Sequence, residues 1–241
     1  MEPTELLYMS DMAATEGTAT VQSVLDSEGK TIVFLDRTLF YAQGGGQPYD
    51  KGSITSAAAS FEVDEVRYLD GLIKHIGHFT SGRFAEGDAV SLHIEPSRRA
   101  LHRRLHSGGH VVDLALKRLN IDWIPGKGYH FPDGPYIEYE GSLEGMNKEE
   151  LLTEIEKTCN EIIQENIPTR IEFVSAEELQ NRGFQVPPSL SPGKPLRIVY
   201  YGDFGVPCGG THVDQMGDLG HMTIRKIKQE GANIRVAYAV E

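Results

Sequence analysis

Two short pairs of metal-ligating residue types, far apart in the chain, constrain its fold more than any other feature. His106 and His110 stand four apart in Leu-His-Ser-Gly-Gly-His, and Cys208 and His212 stand four apart in Pro-Cys-Gly-Gly-Thr-His. On a helix, residues i and i+4 share a face, so the two imidazoles of the first pair can reach one ion. A thiolate and an imidazole in a glycine-rich loop can curl round the same ion, because glycine permits the turns. Each pair alone reads as ordinary polar sequence. Together they require a fold that presses the helix of the first pair against the loop of the second.

Three histidines and one cysteine form a soft, nitrogen-rich donor set that suits zinc, one ion per chain. Zinc peptidases share the two-histidine spacing, but their glutamate is missing here because position 107 is serine. No carboxylate lies inside either motif, so no general base is assigned. His102 lies one turn before His106 and could replace it as a ligand, and His221 follows the loop. Both read as ordinary surface or core histidines. His75, His78 and His93 fall in predicted strands and read as structural.

The chain around these motifs divides at Pro96. Before it, the segments 18–26 and 30–36 flank Ser27-Glu28-Gly29, and 61–69 and 71–79 meet at Asp70-Gly71, a strong hairpin signal. With a further strand at 88–95, these short strands predict a small β-barrel over residues 1–92. Phe40-Tyr-Ala-Gln-Gly-Gly-Gly-Gln-Pro-Tyr-Asp-Lys-Gly52 between the hairpins is too glycine-rich for a regular element, and Thr38 just before it reads as a strand residue. From Ser97, a plausible N-cap, apolar residues recur at helical spacing through Leu119. A polar, glycine-rich loop at 124–134 and a strand at 136–141 follow. A helix over 146–166 has Asn147 as cap and Glu150 three residues later. Then come a strand at 167–174, a short helix at 175–183, a proline-rich surface connection at 186–195, a strand at 196–202 and a terminal hairpin around Glu230-Gly231. This mixture lacks βαβ regularity, so residues 93–241 read as α+β.

Composition narrows the function classes. The 241 residues are 39% hydrophobic and 24% charged with net charge −12. No segment is apolar enough to span a membrane, and no secretory signal is evident. The two cysteines, Cys159 in a helical run and Cys208 in the loop, make no disulfide framework, so a cytoplasmic protein is expected. The acidic balance disfavours a general nucleic-acid coat and leaves no expectation of DNA binding. Arg98, Arg99, Arg103 and Arg104, then Lys117 and Arg118, and then Arg225, Lys226 and Lys228 could still form a local patch facing phosphates. Nothing in the sequence decides between monomer and dimer.

Leu-His-Ser-Gly-Gly-His-Val-Val-Asp at 105–113, followed by Pro-Cys-Gly-Gly-Thr-His at 207–212, resembles the editing domain of alanyl-tRNA synthetase and its free-standing relatives, the AlaX proteins. The second additional domain of threonyl-tRNA synthetase shares the pattern. The glycine-rich segment 40–52 resembles the barrel that precedes the editing domain in this family, and the motifs occur in the family's order. The resemblance implies a free-standing protein that hydrolyses Ser-tRNA(Ala), and possibly Gly-tRNA(Ala), in trans, with mischarged tRNA(Ala) as its partner. It carries over His106, His110, Cys208 and His212 as zinc ligands. It also favours a substrate-binding role for Gly44, Gly45, Gly46 and Gln47 over that of a simple turn. Lys127 is the preferred single contact to RNA. In the synthetase domain a glutamine often precedes the Lys-Gly pair, and here Gly126 stands in that place. Four protein ligands close a tetrahedral zinc, which favours a structural ion. A non-catalytic tRNA-binding module with a structural zinc is therefore the alternative, and an editing enzyme for another tRNA is a third reading.

Overall fold

The computed structural model describes residues 1–27, 29–184 and 195–241. The N-terminal half contains β1 (Glu5–Leu6), β2 (Glu16–Ser27), β3 (Lys30–Leu35), β4 (Arg37–Thr38), β5 (Gly52–Thr55), β6 (Ser60–Leu69), β7 (Leu72–Ser81) and β8 (Ala89–Ile94). Six of these close into a barrel in the order β2-β3-β7-β6-β5-β8, and β1 pairs in parallel with β4 beside it. Alternation of apolar and polar residues along the strands fills the interior with Val21, Val33, Leu35, Ile54, Phe61, Val63, Ile73 and Leu92. Closure removes the sheet edges that an open six-stranded sheet would expose. Asp70 and Gly71 both take positive φ at the β6–β7 turn, as the hairpin signal requires. Glu28 of the β2–β3 turn lies outside the described residues. The barrel's last strand runs through Ile94, where it pairs with Gly52.

The remaining elements are α1 (Pro96–Arg118), β9 (Ile124–Tyr129), β10 (Tyr136–Glu140), α2 (Lys148–Gln164), β11 (Thr169–Val174), α3 (Ala176–Asn181), β12 (Leu196–Tyr201), β13 (Phe204–Pro207), β14 (Met222–Glu230) and β15 (Asn233–Val240). They form a four-stranded sheet β14-β15-β10-β9 and a three-stranded sheet β11-β12-β13. Helices α1 and α2 pack on each other, α1 also against β15 and α2 against β14. Asn147 caps α2 by accepting from the N–H groups of Glu149 and Glu150. The buried face of α2 carries Ile155, Cys159, Ile162 and Ile163 into a second core separate from the barrel's. Each isoleucine buried there contributes about 1.5–3 kcal/mol. The fold is thus α+β with an N-terminal barrel, and among the described residues no helix is long and apolar enough to cross a membrane.

Two local expectations are corrected. Helix α1 starts two residues before the expected cap, with Glu95 at the N-cap and Pro96 at the first helical position, where proline's missing N–H costs nothing. Residues 124–129, expected as loop, are strand β9, because pairing with β10 overrides the weak strand propensity of proline and glycine. The proline-rich connection at 186–195 lies, apart from Pro195, outside the described residues. His75 is structural as expected: it is fully buried in the barrel, bonded to Val33 O and to the Thr38 hydroxyl, and burial lowers its pKa to about 4.

The barrel and the second half meet in a polar seam. Arg99 of α1 is completely buried and ion-paired with the equally buried Asp50 of the glycine-rich segment. Its remaining donors go to the carbonyls of Met12, Ala14 and Leu39. Arg197 of β12 donates to Met9 O on the barrel side and to Cys208 O and Gly210 O in the loop after β13. Replacing Arg99 by methionine leaves Asp50 charged and unpaired in the seam. The expected cost is about 3–5 kcal/mol, read from the urea unfolding midpoint, and Asp50→Leu in the same chain recovers part of it.

Candidate metal centre

Helix α1 places His106 and His110 on the face that meets the loop after β13, as the spacing predicts. The ligand atoms of His106, His110, Cys208 and His212 all lie within 4.8 Å of one another. The imidazole centroids of the three histidines are 4.6–5.3 Å apart, and Cys208 Sγ is 3.3 Å from His106 Nε2. The Nε2 atoms of His110 and His212 are buried and have no partner among the described residues. A buried polar atom without a partner costs roughly 1–3 kcal/mol, so two of them aimed at one point beside a thiol fit a cation. His102 lies outside the group, with both ring nitrogens buried and unpartnered. His221 is exposed.

Each histidine's outer nitrogen is tied down. His106 Nδ1 donates to Gln47 Oε1 at 2.8 Å. His110 Nδ1 donates to Asp113 Oδ2 at 3.2 Å, and the other oxygen of Asp113 accepts from Tyr139 at 2.7 Å. His212 Nδ1 lies 3.1 Å from the Tyr201 hydroxyl and 3.4 Å from Ser107 Oγ. Such outer contacts fix the orientation of each ring and turn Nε2 inward. Ser107, standing where a peptidase has its glutamate, also accepts from Val213 N–H at 3.0 Å and so holds the second loop. Burial disfavours a Cys208 thiolate, but the charges of His106 and His212 and hydrogen bonds from His106 and His110 outweigh it, pulling the pKa well below the ordinary thiol value. Burial likewise opposes charge on His110, yet Asp113 and Cys208 raise its pKa to about 10. Burial dominates at His212 and lowers it to about 3.

The loop glycines serve close approach. A Cβ on Gly210 would collide with the His106 ring and stand 3.1 Å from Gln47 Oε1. In the barrel loop, Gly44 and Gln47 exchange backbone hydrogen bonds across a tight turn, with Gly45 and Gly46 at positive φ. A side chain on Gly46 would strike the carbonyl of Gly128 in β9.

Beside the cluster opens a cleft of about 830 Å³, lined by Gly44, Gly45, Gly46 and Lys127 together with His106, His110 and Cys208. Its volume is that of a ligand pocket rather than a packing defect. Gln47 does not line it. That side chain is fully buried behind His106, its Oε1 also accepts from Thr211 N–H at 3.0 Å, and its Nε2 donates to Thr211 Oγ1 at 2.9 Å. The basic helix start is largely spent internally. Besides Arg99, Arg103 bonds His212 O and Asp214, and Arg104 bonds Leu219 O and Glu241 O. Arg98 donates to Tyr49 O, and Arg118 pairs with Glu165.

The sequence reading missed His130. It is buried, its ring stacks on His106 with centroids 4.4 Å apart, and it lines the cleft. Burial and the neighbouring histidines drive its pKa well below the ordinary value. It follows β9, whose strand character was not legible, and only strand alternation turns it inward while Tyr129 and Phe131 stack together on the other side.

Family models match two parts of the chain: class II (A) tRNA synthetases at residues 6–98, and the threonyl and alanyl tRNA synthetase second additional domain at residues 196–235. The alanine–tRNA ligase of Anaeromyxobacter dehalogenans is 33% identical over 213 residues, covering 87% of this chain and 23% of the relative. That of Haloquadratum walsbyi is 30% identical over 223 residues, covering 92% of this chain and 24% of the relative. The chain spans about a quarter of the length of the curated relatives it matches. The second-additional-domain match falls within the α+β half and the class II (A) match on the barrel half. Together with the relatives, these matches support an AlaX-like protein related to alanyl-tRNA synthetase.

Close packing at the cluster is testable at Gly109, where an added Cβ would stand 2.5 Å from His130 Cε1. Alanine gains about 1 kcal/mol of helix propensity, but overpacking costs about 1–3 kcal/mol. Gly109→Ala is therefore expected to lower stability in urea titrations. Gly44→Ala, whose Cβ meets nothing nearer than Ala42 O at 3.9 Å, leaves it within about 0.5 kcal/mol.

Proposed function

We propose that this protein hydrolyses the ester of mischarged Ser-tRNA(Ala), and of Gly-tRNA(Ala), in trans in the cytoplasm, and holds one zinc ion through His106, His110, Cys208 and His212. The observation that carries the reading is the buried cluster at the wall of a ligand-sized cleft, in a chain similar along most of its length to proteins named alanine–tRNA ligase. The donor set fits zinc, and the inward, unpartnered Nε2 atoms of His110 and His212 fit any such cation. When bound, zinc supplies Lewis acidity towards a carbonyl oxygen or a water molecule.

The protein's own residues then have distinct tasks. Gln47, Asp113 and Tyr201 hold the three imidazoles with Nε2 inward. Gly44, Gly45 and Gly46 offer a backbone wall along which the terminal ribose and its ester can lie close to the cluster. Lys127, exposed at the cleft, meets phosphate. Four donors favour a structural ion, the alternative reading. Against it, His106, His110 and Cys208 all line the cleft, so the cluster is open to a ligand from that side. On this reading residues 1–92 form the barrel unit and 93–241 the editing unit, in keeping with two separate core clusters.

The deciding experiment incubates the protein with Ser-tRNA(Ala), Ala-tRNA(Ala) and Ser-tRNA(Thr) and follows release of the amino acid. Rapid release from the first alone is expected. Binding of tRNA(Ala) without release would leave the structural-zinc reading standing. The double variant His106→Ala/His110→Ala is expected to lose bound zinc and all deacylation, and full activity in the metal-free double variant would refute the metal assignment. Gln47→Leu is expected to weaken zinc retention against a chelator about 10- to 100-fold. Unchanged retention would remove Gln47 from the site.

A further inference from the structure

His130 is held more rigidly than its place after an irregular strand suggests. Its backbone N–H donates to Gly46 O at 2.8 Å, which joins it to the glycine-rich loop of the barrel. Glycines from three separate segments make room for its ring. A Cβ on Gly109 would stand 2.5 Å from Cε1, one on Gly46 3.1 Å from Cδ2, and one on Gly128 would collide with Nε2. One ring face stacks on His106. Nδ1 lies 2.7 Å from the Tyr238 hydroxyl, and that hydroxyl donates its own proton to Leu105 O at 2.7 Å. With its proton committed, the tyrosine oxygen can only accept, so His130 Nδ1 carries the hydrogen. Nε2 is therefore a fixed acceptor, and it has no hydrogen-bond partner among the described residues.

Several other acceptors around the cleft are engaged. Both oxygens of Asp113 are taken by His110 and Tyr139. Gly44 O and Gly46 O are taken by backbone and tyrosine donors. The Gln43 side chain is half-buried and anchored by no hydrogen bond among the described residues, so it offers nothing preorganised.

We propose that His130 is the specificity-determining residue of the cleft, its Nε2 accepting a hydrogen bond from the β-hydroxyl of a seryl ester lying between the glycine loop and the metal cluster. The proposal rests on the hydrolase reading above. A cleft whose fixed acceptor faces an O–H donor favours the seryl group over one that leaves that acceptor unpaired. Serine and alanine differ only in that hydroxyl, and their α-amino groups are identical. The alanyl ester therefore separates recognition of the hydroxyl from recognition of the amine.

The test compares kcat/KM for seryl-, alanyl- and glycyl-tRNA(Ala) among the native protein, His130→Leu and Tyr238→Phe. In His130→Leu the preference for serine over alanine is expected to fall about 100-fold, through loss on the seryl ester while the other two stay level or rise. Tyr238→Phe leaves the ring in place and frees its tautomer, and a smaller fall in the same ratio is expected. That variant decides the matter alone should His130→Leu fail to fold. An unchanged serine-to-alanine ratio, or equal losses on all three esters, overturns the proposal and leaves the hydrolase reading intact. A native protein that hydrolyses none of the three overturns both.

Discussion

The seam between the barrel and the α+β half is built from buried polar groups, and the site depends on it. Arg99 and Asp50 are both sealed from solvent. Such a pair is tolerable only because every donor and acceptor in it is used, and three backbone carbonyls complete the guanidinium's shell. The pair anchors the glycine-rich segment on α1 one turn or more before His106. Arg197 does the equivalent for the second metal loop, tying it to Met9. An apolar seam would bury comparable area but would fix register less sharply. Here two guanidinium groups, each with directional bonds to several segments, bring loop, helix and barrel to one geometry.

That geometry explains how His106, His110, Cys208 and His212 converge. Each imidazole is oriented by a different partner: a barrel glutamine, an aspartate one turn along the same helix, and a tyrosine from β12. The glycine-rich loop does two things at once. Its backbone walls the cleft and bonds to His130, and its terminal Gln47 reaches behind His106 into the core.

Much of this was legible in the chain and some was not, for physical reasons. Four-residue spacing on a helix is a local property, so His106 and His110 announced a shared face. Asp70-Gly71 announced a hairpin because few dipeptides tolerate two positive φ values. Strand β9 was hidden because Pro125, Gly126 and Gly128 carry little strand preference, and its partner β10 alone makes it a strand. His130 was hidden with it. The arginines at the start of α1 read as a patch that could face phosphates. Their acceptors are main-chain carbonyls and the carboxylates of Asp50 and Asp214 in distant segments, which leave no mark in residue spacing. Gln47 follows the three glycines in the chain, but the direction of its side chain, away from the cleft and behind His106, is a tertiary fact.

The distances along the chain between the site's parts also shape how the molecule can assemble. Cys208 meets His106 across 102 residues, and Gln47 meets Thr211 across 164. During synthesis, the barrel and then α1 emerge long before the second loop exists. Contacts this remote form late, after local hairpins and helices have reduced the search. The four donor residues can therefore meet only after the loop that carries Cys208 and His212 has followed α1 out of the ribosome and packed against it.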